Sequence, residues 1–154
     1  MINKILRFII NSFWNFIYPE LSNKEVEEIY SLCKTPFQLE VYLCSHGFKW
    51  ASDGLNFNIL SDSFERPSQV LSRKWANCSG FLRLYSDFFD RVGVKHKEIL
   101  LIHSDKVQWH YINIFQYEGK FYQQSNIALT EITSFDKLWQ EWNDKGYEKR
   151  TVNL

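Results

Sequence analysis

Cys78 and His110 are the residues of this chain whose types and settings fit chemistry best. Cys78 stands where an irregular stretch gives way to an apolar-periodic run. Phe81, Leu82, Leu84, Tyr85, Phe88 and Phe89 recur three and four apart, which puts them on one face of a helix. Arg91 and then Gly93 close the run, a helix-stop signal. A cysteine in the first turn of a helix faces unpaired backbone N–H groups and the positive end of the helix dipole. That field favours the thiolate, which is the nucleophilic form. The same N–H groups can hold the oxyanion formed when sulfur attacks a carbonyl. Taken alone, such a cysteine reads rather as a buried and inert one, since free cysteine is among the most buried residue types.

His110 changes that balance. The stretch Gln108 to Tyr117 is rich in aromatic and β-branched residues and reads as a strand. Glu118 and Gly119 are a turn signal, and Lys120 to Asn126 reads as the returning strand. A cysteine at a helix start followed by a histidine on a strand is the chain order of papain-like thiol enzymes.

On these residues the chain resembles the transglutaminase-like cysteine proteinase superfamily, and most closely its bacterial cysteine-proteinase branch, which has a papain-like fold. That branch shows a proline, a leucine four residues later, and Asp-Cys ending eleven residues after the proline. Here Pro67, Leu71 and Cys78 keep the spacing. A helix and a Gly-Val/Ile step follow in the family, matched by residues 79–92 and Gly93-Val94-Lys95. His110, Gly119 and Gln124-Ser125-Asn126 fall where the family places its strand histidine, its hairpin glycine and the end that brings its third catalytic group. The resemblance spans residues 60–127. It implies Cys78 as nucleophile, His110 as base, and Ser125 as the residue at the triad-acid position. By analogy it offers Gln69 as an oxyanion donor, although the spacing to Cys78 departs from the papain-like pattern and a helix-surface role is the plainer expectation. Ala76-Asn77 replaces the family's Gly-Asp before the nucleophile, and Ser125 replaces its aspartate.

Hairpin geometry gives a separate reading of the third group. A two-residue Glu118-Gly119 turn pairs Tyr117 with Lys120 and sets Ser125 opposite Ile112. His110 then falls opposite Ile127, and side chains alternate so that His110, Ile112, Ser125 and Ile127 share a face. Asn126 points the other way unless the register slips by one residue, and it stays as the alternative partner for His110. A hydroxyl can hold an imidazole tautomer but cannot stabilise an imidazolium as a carboxylate does. The expectation is therefore a weak thiol acyl-transfer enzyme, a peptidase, an amidase or a transglutaminase-like crosslinker acting on protein or peptide. The alternative is a lapsed fold that serves as a binding or assembly module. Trp75 and Trp109 flank the two reactive residues and read either as cleft walls or as core aromatics.

The elements around this pair complete an α+β architecture: helices first, then the Cys78 helix packed on an antiparallel sheet. Residues 1–18 carry an apolar stripe at helical spacing with Lys4 and Arg7 off it. They read as a helix packed on the domain, with partner docking and membrane-surface contact as alternatives, and Pro19 ends them. Ser22-Asn23-Lys24-Glu25 is a capping box for a helix to about Cys33. Thr35-Pro36 starts another that stops at Gly47. Residues 48–66 read as irregular and residues 67–74 as a short helical turn. Glu98 to His103 is an apolar, central strand, and Ser134 caps a helix through Leu138 and Trp142 to Gly146. An edge strand follows from Tyr147.

At 154 residues the chain reads as one domain spanning 1–154. Apolar residues make up 45% and aromatic residues 18%, which excludes a disordered class. Eighteen basic and eighteen acidic residues balance, so bulk charge does not predict nucleic-acid binding. Three cysteines leave an odd count, which fits a reducing, cytoplasmic setting, with Cys33 and Cys44 the one conceivable pair. His46, His96 and His103 lack metal-ligand spacing, and neither a metal nor a cofactor is expected.

Overall fold

The computed structural model describes residues 16–51, 65–106 and 108–151. The expected amphipathic helix over residues 1–18 lies almost wholly outside the described residues, as does most of the 48–66 stretch. Among the described residues, five helices, a five-stranded antiparallel sheet and a two-stranded ribbon make up an α+β fold. No described helix is long and apolar enough to cross a membrane.

Helix α1 (Asn23–Ser31) opens on the expected capping box: Ser22 Oγ accepts from the Glu25 amide while the Glu25 carboxylate accepts from the Ser22 amide. It ends at Ser31, two residues short of the expected Cys33. Helix α2 (Pro36–Ser45) starts on Thr35, whose hydroxyl accepts from the Gln38 amide. Proline at N1 costs nothing there, because its missing N–H would be unpaired anyway. Gly47, at φ +76°, turns the chain out of the helix. His46 stacks on Tyr42, and its Nδ1 lies 2.8 Å from the Tyr42 carbonyl.

Strand β1 (Lys49–Trp50) was not legible in the sequence. It pairs in parallel with β2 (Trp75–Ala76), at either end of helix α3 (Pro67–Arg73) and the stretch before it. Two-residue strands carry no periodicity to detect. Ala76 is fully buried and precedes Asn77, the N-cap of helix α4 (Cys78–Val92). Asn77 Oδ1 accepts from the Gly80 amide at 3.0 Å, and Gly93 at φ +72° ends the helix.

Strands β3 (His96–His103), β4 (Trp109–Tyr117), β5 (Lys120–Ser125) and β6 (Ala128–Glu131) form a meander. Helix α5 (Phe135–Asp144) then returns the chain so that β7 (Tyr147–Thr151) pairs with β3. The order is β6-β5-β4-β3-β7. The β4–β5 ladder has the expected register, Tyr117 with Lys120 and Ile112 with Ser125, but it ends there: the chain turns at Asn126, φ +53°, and Ile127 packs with the α4-side core instead of facing His110.

Each face of the sheet has its own core. Helix α4 lies on one: Phe89 meets Phe115 at 4.6 Å between ring centroids, and Asn113 Nδ2 donates to Ser86 Oγ and Gln124 Oε1. Helix α5 lies on the other, where Leu138 and Trp142 pack with Ile99, Leu101 and Ile112. All three cysteines are free, so the Cys33–Cys44 pair does not form.

Candidate active site

Cys78 is the first residue of α4 and is half-buried. Its local frame is held by Asn77, whose side chain caps the helix and also accepts from Ser79 Oγ at 2.7 Å. Gly80 lies one turn in, and a Cβ there would come within 2.6 Å of a Glu65 carboxylate oxygen. Glu65 is buried against Arg73, Oε1 to Nη1 2.7 Å. The helix start is thus pressed onto a buried ion pair and tolerates only glycine at its third position.

His110 sits near the start of β4, opposite Leu101. Its Nε2 and Ser125 Oγ are 2.9 Å apart, so the hairpin joins the imidazole to Ser125 as its register requires. Asn126 takes a left-handed conformation, φ +53°, just beyond the β4–β5 ladder, and its carbonyl accepts from Gln124 Nε2. Ser125, not Asn126, is the partner of His110.

The wall behind His110 comes from α5, which the sequence reading left out of the site. The His110 ring lies against Trp142, 5.3 Å between centroids at 32°. Trp142 Nε1 donates to Gln123 Oε1 at 3.2 Å, which fixes the indole. Burial, with the nearby Lys145 ammonium adding to it, lowers the imidazole pKa to about 4. Lys145 Nζ itself sits 4.6 Å above the Trp142 ring. The apolar stripe Leu138–Trp142 was visible in the sequence, but nothing local says which face of the sheet it covers.

Strand alternation divides the site between faces. Asn113 and Phe115 point to the α4 side, whereas His110, Ile112 and Ser125 point to the α5 side. The body of the Cys78 helix and the imidazole are therefore on opposite faces of the sheet. Tyr147 belongs to the α5-side core. It meets Trp142 edge-on at 5.6 Å and His103 at 5.2 Å, on His110's side. Burial raises its phenol above the ordinary range, and negative charge at Cys78 would add to that rise.

The remaining candidates take structural places. Trp75 pairs with Lys49 in the β1–β2 ribbon and lies under the Arg73 guanidinium at 5.5 Å. Trp109 begins β4 opposite Ile102. Gln69 is buried rather than on the helix surface, and its Oε1 accepts from the Arg66 amide at the start of α3. Among the described residues no group of three His, Cys, Asp or Glu side chains is placed to hold a metal ion.

Comparison with protein-family models gives no match, and comparison with curated proteins gives none either.

Proposed function

We propose that the chain is a thiol-dependent acyl-transfer enzyme of transglutaminase-like, papain-like type, with Cys78 as nucleophile, His110 as base and Ser125 as the residue that orients His110. The observation that carries this reading is the 2.9 Å contact between His110 Nε2 and Ser125 Oγ. It ties up one ring nitrogen and leaves Nδ1 for the reacting side. The helix-start position of Cys78 supports the same chemistry. The reading requires sulfur and imidazole to meet round the end of the sheet, on the rim where Tyr147 stands.

His110 would take the Cys78 proton as the sulfur attacks an amide or ester carbonyl, forming the S–C bond. The resulting imidazolium would return that proton to the departing amine or alcohol as the C–N or C–O bond breaks. Water or an amine would then release the acyl group from the thioester. An imidazole with a pKa of about 4 is neutral at pH 7 and is a poor host for the imidazolium, so the expected rate is low. That depressed basicity, with a hydroxyl where a carboxylate would stabilise charge, favours the second reading: a fold that retains these residues and serves in binding.

p-Nitrophenyl acetate separates the two. Transfer of one acetyl group to Cys78, located by mass spectrometry and slowed in His110→Gln, is the expected outcome. A chain that is not acetylated at Cys78, or is acetylated equally fast in His110→Gln, is the binding module.

A further inference from the structure

Helix α5 covers only one end of its sheet face. Leu138 and Trp142 sit over Leu101, Ile112 and His110, and at the margin of that cluster Ile99 and Ile114 floor an open groove of about 470 Å³. That volume falls within the roughly 300–1,000 Å³ of small-molecule pockets. Phe121 and Phe135, edge to face at 5.3 Å, close one side, and Trp139 closes another. Both phenylalanines are exposed, an unusual disposition for packed rings.

The charge around this groove has one sign. Lys95, Lys97 and Lys149 line it, no aspartate or glutamate does, and none of the three makes an ion pair among the described residues. Lys149 reaches inward, its Nζ 4.4 Å above the Trp139 ring. An apolar floor, aromatic walls and a cationic rim complement one ligand chemistry, an apolar body carrying an anion. The chain's own residues 1–18 do not complement it, because Lys4 and Arg7 repeat the groove's sign.

We propose that this groove is a binding site for a small amphiphilic carboxylate. Its hydrocarbon or aromatic body lies over Ile99 and Ile114 against Trp139, and its carboxylate meets Lys97 and Lys149. His110 does not line the groove. Lys97 is four residues along β3 from Leu101, the partner of His110, about 13 Å at strand rise, whereas Lys149 pairs with Leu101 from the opposite side. The proposal does not rest on the reading of Cys78.

The test is titration calorimetry on the full chain with three probes of one shape: 4-phenylbutyrate, 4-phenylbutan-1-ol and 4-phenylbutylamine. The butyrate should bind at least about tenfold more tightly than the alcohol, and the amine should not bind, because charge-assisted contacts carry the selectivity. The double variant Lys97→Gln/Lys149→Gln changes only exposed residues. It should lose about tenfold in butyrate affinity while its thermal unfolding is unchanged. Equal binding of butyrate and alcohol, or unchanged butyrate affinity in the double variant, overturns the proposal. So does no butyrate binding at millimolar concentration. Tighter binding after removal of residues 152–154 would make that segment a competing occupant and overturn it as well.

Discussion

Burial and the Lys145 ammonium hold the His110 imidazole uncharged at neutral pH. Among the described residues its contacts are a hydroxyl and an indole and no carboxylate, so the ring is oriented without being made more basic. NMR titration of the ring should give a midpoint near pH 4. Trp142→Ala should move that midpoint up toward the ordinary 6.5, because it opens the imidazole to water. An unchanged midpoint would place the cause elsewhere. Ser125→Ala removes one hydrogen bond from Nε2 and should slow acetylation of Cys78 about two- to tenfold, the worth of a neutral hydrogen bond. The pairing of Ser125 with His110 was legible because a two-residue turn fixes hairpin register residue by residue. The indole on the ring's other side was not, because Trp142 arrives from a helix whose docking face no local rule specifies.

At the level of elements, the start of α4 is the most constrained feature. Asn77 caps it, Ala76 is buried beneath it, and Gly80 leaves room for Glu65. Gly80→Ala improves intrinsic helix propensity by roughly 1 kcal/mol, yet the added methyl would lie 2.6 Å from a carboxylate oxygen and 2.7 Å from Ala76 Cβ. Overpacking of that kind costs about 1–3 kcal/mol, so the variant should be destabilised in urea despite its better propensity. A gain in stability would mean that the ion pair yields easily. Caps and stops in the sequence located α1, α2, α4 and α5 to within a residue or two, since each is a local hydrogen-bonding device. Strands β1 and β2 escaped notice because a two-residue parallel pair is defined by its partner alone. Gln69 was read as exposed because a seven-residue helix shows too few turns to reveal which face is covered.

Over the whole molecule, one sheet separates two cores, with the body of the helix that begins at Cys78 on one face and His110 on the other. Stability should follow the His110 imbalance with pH. Its native pKa of about 4 lies below the unfolded value near 6.5, so the unfolded chain takes up the proton first as pH falls. The contribution is complete above pH 6.5 and is lost between 6.5 and 4, amounting to about 3 kcal/mol for a shift of that size. Urea midpoints measured from pH 7.5 to 4 should fall over that window in the wild type and more weakly in His110→Gln. Parallel curves would contradict the buried, neutral imidazole. The α+β arrangement and the sheet's central ladder could be read from the chain itself. The split of Cys78 and His110 between faces could not, because it depends on which side of the sheet each helix takes.

Alkylation by iodoacetamide at neutral pH, followed residue by residue by mass spectrometry, bears most directly on the pairing of Cys78 with His110. The other cysteines are internal references: Cys44 is exposed, and Cys33 is buried with its thiol pushed up by that burial. The pairing predicts that half-buried Cys78 reacts faster than exposed Cys44, and that His110→Ala removes the advantage while leaving Cys44 unchanged. Cys78 reacting no faster than Cys44, or keeping its advantage without His110, would contradict it.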